Sequence, residues 1–397
     1  MVVSISPLSM TASSLVNAAG CGKQATLAAL KNGVSGLRLL SLPGLNFPTW
    51  LGRVDAVDTV ELEPALQHFS CRNNKLAKLA LDTDDFREAV QQAIERYGKN
   101  RIGVFMGTST SGKAETENAY AHREACCGRF ALSFDMLHTH NIGSLLAYVQ
   151  HSLGLNGAGL TISTACSSSA KVFATAHRFL NSGICDAAIV GGVDSLCLTT
   201  LYGFNALQLI SSQPCRPWDR DRNGISVGEA AGFSLLEKSS NAPGAVKLMG
   251  FGESSDAYHM STPRPGGEGA IMAMKFALDR AGLEASDIGY VNLHGTATLS
   301  NDSAEAQGLY ATFSDRVLCS STKGITGHTL GAAGITEAII CSLVLEQDVM
   351  PANVNLNNPD QSLPVEVIQT TLNRSVSHVM SNSFGFGGSN CSLVLGW

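Results

Sequence analysis

Five short apolar runs in this chain each break off into a loop of small polar residues. RIGVFMG runs into TSTSGK, LTIS into TACSSS, YVNL into HGTAT, VLCS into STKGITGH, and HVMS into NSFGFGGSN. Between and around them lie segments with helical periodicity, including 76–97, 141–153, 270–281 and a stretch that starts near Leu330. Strands that alternate with helices predict an α/β fold. In such sheets, reactive groups gather in the loops beyond the strand C-termini. The pattern also predicts strands at 2–5, 186–193, 232–237 and 245–250, and a helix over 20–30 closed by Asn32-Gly33. The layout strand, reactive loop, helix recurs in both halves, as in TISTACSSSAKV and VNLHGTATLSNDSAEA. A duplicated α/β unit is therefore expected, with residues 1–245 as one half and 246–397 as the other.

The most informative loop lies in 160–173, LTISTACSSSAKVF. A β-branched run ends at Thr164, Cys166 follows at once, and Phe173, His177 and Leu180 then recur at helical spacing. A thiol at a helix start meets unpaired N–H groups and the positive end of the helix dipole, which favour its anion. That describes a nucleophile. The stretch is equally compatible with a buried structural cysteine.

Bulk composition narrows the classes. The chain has 397 residues, 44% hydrophobic, enough for a large core or two domains. A formal net charge of −6 argues against a general nucleic-acid binder. No uninterrupted apolar stretch approaches the roughly 20 residues of a spanning helix, and the opening MVVSISPLSM does not read as a signal peptide. Eleven cysteines stand singly except Cys126-Cys127, without CxxC pairs, which fits a reducing cytoplasm better than a disulfide scaffold or a zinc site.

Two histidines join the thiol by position: His294 in HGTAT and His328 in GITGHTLGAAG, with Lys323 just before the latter. Each follows a strand, so a joint site with Cys166 is expected. The last loop, SFGFGGSN, sets glycines around Phe386. Its backbone N–H groups are able to approach a substrate, as an oxyanion hole requires.

These residues match a family. TACSSS around Cys166, CRPWDRDRNGISVGEAAG from Cys215, HGTATLSND from His294, STKGITGHTLGAAG from Ser321 and NSFGFGGSN from Asn382 occur together and in order. The chain resembles the elongating β-ketoacyl-acyl carrier protein synthases of the thiolase superfamily over nearly its whole length. The resemblance implies a duplicated α-β-α-β-α layered fold. It implies an acyltransferase in which Cys166 takes an acyl chain from a carrier-protein thioester and malonyl carrier protein then condenses with it, losing CO₂. His294 and His328 would hold the malonyl thioester carbonyl as neutral donors, and the N–H groups of Cys166 and Phe386 would hold the oxyanion. Lys323 would add positive potential near the histidines, and Glu305 would pair with Lys323. Phe384 and Phe386 would be gating aromatics. No metal and no cofactor is implied beyond the phosphopantetheine of the carrier, although some relatives hold a structural cation.

Other expectations follow from the same resemblance. Thr110 falls where the family sets acyl-pocket depth with glycine or a bulky aliphatic, so a small residue with a hydroxyl would suit an unsaturated or aryl-bearing chain. Arg72, Lys75 and Lys78 share a helical face and match the carrier-docking region. A base that some relatives carry in a GF-containing helix is Gln208 here, and Arg216 reads as structural. The opening MVVSISPLS departs from the family's usual first strand, implying an altered sheet edge. Thr110, Gln208 and this departure suggest a specialised pathway, nearest to a bacterial aryl polyene or type II polyketide-like system. The partners implied are acyl carrier protein and a second ketosynthase subunit, giving a homodimer or a heterodimer with a chain-length factor. A degradative thiolase would need a second cysteine in the last loop. A chain-initiating synthase would carry Asn in place of one histidine.

Overall fold

The computed structural model describes residues 4–124, 128–130, 134–238 and 244–397; Cys126 and Cys127 lie outside them. Eleven strands form one hydrogen-bonded network. In chain order they are β1 (Leu8–Asn17), β2 (Gly20–Cys21), β3 (Ile102–Gly107), β4 (Gly159–Ile162), β5 (Ala187–Asp194), β6 (Ala230–Lys238), β7 (Lys247–Ser255), β8 (Tyr290–Asn292), β9 (Cys319–Ser320), β10 (His378–Gly385) and β11 (Ser389–Gly396). Their spatial order is β9-β8-β10-β11-β7-β1-β6-β5-β3-β4, with β2 paired to β1.

That order is one arrangement used twice. Outward from the centre, β1-β6-β5-β3-β4 repeats as β7-β11-β10-β8-β9. The senses repeat as well. In each half the first two contacts are antiparallel and the outer two are parallel. The two half-sheets are joined edge to edge where Leu8 pairs with Leu248 and Ser9 with Lys247.

Helices make three layers around these half-sheets. The middle layer is α6 (Ser168–Asn181) and α11 (Ala333–Gln347), packed between the halves. In α11 every residue from Ala333 to Leu345 is buried, and all but Thr336, Glu337 and Ser342 are apolar or glycine, as expected of a helix with no solvent face. With the turn before it, Leu330–Gln347 is long and apolar enough to cross a membrane, yet it is the centre of this core. Gly334 is what lets the two helices touch: a Cβ there would stand 2.3 Å from the Ala170 nitrogen. The outer layers are α2 (Arg72–Leu81), α3 (Phe86–Tyr97) and α5 (Ser144–Leu153) on one side, and α8 (Glu268–Ala281) and α9 (Leu299–Phe313) on the other.

The structure corrects three expectations. Of the strand expected at 2–5, residues 2 and 3 lie outside the described residues and residues 4 and 5 are not in a strand; the first described strand is β1, and it lies at the centre of the sheet rather than at an edge. Its buried serines, Ser9, Ser13 and Ser14, hide it from a search for apolar runs. The expected helix over 76–97 is two helices. Asp84 and Asp85 both take positive φ between them, and the Asp84 carboxylate accepts the N–H groups of Leu15 and Lys23. Finally, the Arg72 guanidinium, expected on the carrier-docking face, is turned to a structural ion pair. It donates to both oxygens of Glu229, whose side chain is fully buried, and to Asp58. Glu229 also accepts the N–H groups of Val54 and Leu196. Lys75 lies against Glu61, and Lys78 against Glu63 and Asp82, so this face carries no unbalanced positive patch.

Truncating Arg72 leaves a buried carboxylate without its cation. Arg72→Met is expected to destabilise the fold by about 3 kcal/mol. Lys75→Met should stay within about 0.5 kcal/mol, as surface substitutions do. Urea unfolding of the two variants checks the contrast.

Candidate active site

Four loops at strand C-termini converge on one point. The first follows β4. Ala165 takes φ 52°, which turns the chain sharply and sets Cys166 just ahead of α6. The three serines hold that turn. Ser167 Oγ donates to the Thr164 carbonyl (2.9 Å), and Ser168 Oγ accepts from Thr164 N–H (2.9 Å) and donates to the Ala165 carbonyl (2.6 Å). Ser169 Oγ accepts the N–H of Ile335 in α11 (3.0 Å), tying this loop to the other half of the fold.

The second loop follows β8. Glu305 in α9 accepts the N–H groups of His294 (2.8 Å) and Gly295 (2.7 Å), fixing the backbone beneath the imidazole. The third follows β9: a helical turn, Lys323–Thr326, then Gly327 at φ 73°, then His328. His328 N–H donates to Ser226 O (2.7 Å), and its carbonyl accepts from Gly228 N–H (2.9 Å). The block around residues 226–228 is therefore the bracket that holds His328. The fourth loop follows β10. Gly385 packs so tightly on the nucleophile turn that a Cβ would lie 2.8 Å from Thr164 O. Phe386 comes next, and its backbone N–H is one of the groups that favour the anionic form of Cys166.

Cys166, His294 and His328 are all buried. Cys166 Sγ stands 3.0 Å from His328 Nε2, and the two imidazoles are nearly perpendicular with ring centres 5.3 Å apart. Burial, reinforced by the Lys323 charge, holds both histidines well below their ordinary value, so they are neutral donors or acceptors near pH 7. Burial also pushes the Cys166 thiol up to about 11, against the pull of Lys323 and the Phe386 N–H. The helix start does not leave a free thiolate here; the resting group is a thiol hydrogen-bonded to His328.

Lys323 does not pair with Glu305. Its partner is Glu337, in α11, and both side chains are buried. Burial pushes Glu305 and Glu337 each up to about 7. The sequence shows Glu337 as an acid in the middle of an apolar helix whose other acid, Glu346, stands at its end, and a mid-helix acid among apolar residues is the signal that could have pointed to a buried cation.

Two cavities share Cys166, Phe204 and Phe386 on their walls. One, about 40 Å³, holds His294, His328, Thr296, Thr298 and Phe384. The other, about 320 Å³, runs past Leu207, Leu330, Ser109 and Lys113. The Phe204 and Phe386 rings meet edge-on at 5.6 Å between them. Phe384 is buried in β10 against His294 (6.0 Å), whereas Phe386 is half-buried in a glycine-flanked turn. Of the two, Phe386 has the freedom a gate needs.

Ser109 and Lys113 also line a third space of about 620 Å³ with Thr110, Met136, His140 and Ile142. The Thr110 hydroxyl is not offered to a ligand. It donates to Asp194 (2.9 Å) and accepts from Ser195 N–H (3.2 Å). Lys113, which the sequence did not single out, has its ammonium on Ser109 O (3.0 Å) at the junction of both spaces. Cys391 is buried in β11 and lines none of the cavities just described, so the last loop offers no second thiol.

Neutral histidines give a measurable signature. The His294 and His328 ring resonances should stay flat from pH 8 down to pH 6 in histidine-labelled NMR spectra, a range in which a free imidazole with a pKa of about 6.5 changes charge. Titration of either ring near 6.5 would contradict the burial.

Profiles of two families match the chain: the β-ketoacyl synthase N-terminal domain over residues 75–242 and the β-ketoacyl synthase C-terminal domain over 246–357. A 3-oxoacyl-[acyl-carrier-protein] synthase 2 of Vibrio cholerae is 39% identical over 259 residues, 61% of this chain and 63%, under two thirds, of that one. The Coxiella burnetii protein of the same name is 32% identical over 391 residues, covering 92% of each chain. Among solved structures, a ketosynthase (ApeO) in complex with its chain length factor (ApeC) from Xenorhabdus doucetiae superposes with a TM-score of 0.89 at 37% identity, covering 98% of both.

Proposed function

The chain belongs to the β-ketoacyl synthase family, and from that premise we propose that it is a β-ketoacyl-acyl carrier protein synthase, an acyltransferase of the cytoplasm that lengthens a fatty-acid, polyene or polyketide-type chain. The observation that carries this reading is Cys166 Sγ at 3.0 Å from His328 Nε2, with His294 beside it.

The geometry divides the reaction into two stages. In the first, Cys166 sulfur attacks the carbonyl of an acyl thioester on the carrier's phosphopantetheine. The new C–S bond forms, the carrier's C–S bond breaks, and the departing sulfur takes the thiol proton. The acyl chain then occupies the cavity beyond Phe386. In the second, a malonyl thioester enters the cavity of the histidines. Its C–CO₂⁻ bond breaks, CO₂ leaves, and the electron pair moves into the thioester as an enolate. N–H groups of His294 and His328 hold the enolate oxygen. Neutral imidazoles suit this step, because they donate hydrogen bonds without presenting a strong acid that would quench the carbanion. The enolate carbon attacks the acyl-Cys166 carbonyl. The N–H groups of Cys166 and Phe386 hold the resulting oxyanion; its collapse breaks the C–S bond to Cys166, and the released thiolate takes a proton from solvent.

A second reading concerns the partner. β4 is an edge strand, and Leu160 on it, with Met136, Leu137 and Ile142 nearby in the chain, is among the most exposed apolar side chains. The 620 Å³ space is lined by Met136, Leu137 and Ile142. We place the partner subunit there, either a second copy or a chain-length-factor relative in which the nucleophile is missing. The likeness to the ketosynthase of the Xenorhabdus complex supports the heterodimer. The Lys113 ammonium on the acyl path suits a chain with π-electron density, such as a polyene or aryl polyene, more than a saturated one.

The test is malonyl carrier protein decarboxylation without an acyl partner. His294→Ala and His328→Ala should each lower kcat by about 100-fold or more, the usual cost of removing one oxyanion donor. Cys166→Ala should keep the decarboxylation and lose condensation. Loss of neither activity in the histidine variants would overturn the assignment.

A further inference from the structure

The three reactive side chains form more than a condensing site. The Cys166 sulfur and one ring nitrogen each from His294 and His328 all lie within 4.8 Å of one another, in a buried pocket. One thiol and two imidazoles are the donors that zinc and its thiophilic neighbours select. Around a tetrahedral zinc, with bonds of about 2.3 Å to sulfur and 2.0 Å to nitrogen, neighbouring ligand atoms stand roughly 3.5 Å apart. The Sγ to Nε2 separation of 3.0 Å is within a small adjustment of that. The near-perpendicular rings let both nitrogens aim at one point.

We propose that Cys166, His294 and His328 form a three-ligand site for a thiophilic divalent cation, zinc foremost, that occupies the unacylated protein and blocks it. The cation binds the sulfur as a thiolate; the S–H bond breaks and the proton leaves to solvent. The cavity beside the three side chains, lined also by Thr296, Thr298 and Phe386, leaves room for water as a fourth ligand. The nearby Lys323 charge is already balanced by Glu337, which lessens its repulsion of the cation.

Two features make the cation an inhibitor rather than a resident. Metal-bound histidines normally donate their second ring N–H to a carboxylate or carbonyl, which orients and strengthens them. Among the described residues, neither His294 Nδ1 nor His328 Nδ1 has a hydrogen-bond partner. The site is therefore unbraced, and the cation is exchangeable. The acyl group also uses the same sulfur. A thioester at Cys166 has no thiolate to give, so loaded protein is protected and idle protein is not. Metal sensitivity then reports the loading state.

Cobalt(II) titration of the full chain tests this, because a tetrahedral cobalt–thiolate absorbs strongly and needs no turnover. One equivalent should bind with a sulfur-to-metal charge-transfer band, and zinc should displace it. Alkylating Cys166, or Cys166→Ala, should abolish the band. His294→Ala should weaken binding by at least about tenfold, the lower end of what disturbing a metal site costs. Acylating Cys166 should prevent binding. A band that survives alkylation of Cys166, an affinity unchanged in His294→Ala, or no cobalt bound at all would overturn the proposal. Each readout is of binding, so failure here leaves the condensing reading standing, and loss of condensation in its own assay leaves this one standing.

Discussion

The close crossing of α6 and α11 is the constraint on which the rest depends. Gly334 meets Ala170 backbone to backbone, and Ser169 binds the Ile335 N–H. Each helix follows a reactive loop: α6 begins after Cys166, and α11 begins after His328. When the two helix starts touch, the two loops must face each other. The 3.0 Å contact between Cys166 and His328, 162 positions apart in the chain, is the result. A duplicated sheet supplies the symmetry, but the small residues at the crossing set the distance. A larger residue at 334 would have to push the helices apart and open the site.

Electrostatics then decide what the site is able to do. The thiol and both imidazoles are buried, and burial favours their neutral forms. The nearby cation, Lys323, sits against Glu337 rather than in the cavity. Its residual field keeps the histidines from protonating and assists negative charge on sulfur, while the carboxylate on the same cavity wall, Asp256, is engaged by the Asn390 amide (2.7 Å). A site of this kind stabilises an enolate and an oxyanion and has no strong base to remove protons. Cys166, Phe204 and Phe386 stand between the two cavities, so the acyl chain and the attacking unit approach one sulfur from different sides.

What was legible in the sequence was local. Cys166, His294, His328 and Phe386 each sit in a glycine-, serine- or threonine-rich loop after a strand, and the pattern marks them without any tertiary knowledge. The partners were not local. Arg72 meets Glu229 across 157 positions, and Thr110 meets Asp194 across 84. Nothing in the neighbouring residues of either member announces the other. Lys323 was assigned to Glu305, an acid in a reactive block, whereas the fold delivers Glu337 from an apolar helix. β1 escaped because buried serines replace the apolar residues that mark a strand. The helix dipole at Cys166 favours the anion and burial favours the neutral thiol, and a local reading carries no knowledge of how deeply the sulfur is buried.

The central claim is that one sulfur, Cys166, carries the acyl chain and gives it up to a decarboxylated malonyl unit. Peptide-mapping mass spectrometry of the protein after exposure to an acyl-carrier thioester, before and after malonyl carrier protein is added, addresses it directly. The account predicts the acyl mass on the Cys166 peptide alone, then its loss, with a chain two carbons longer appearing as the 3-oxo thioester on the carrier. Acyl mass on another residue, or a Cys166 thioester that malonyl carrier protein leaves in place, would contradict it.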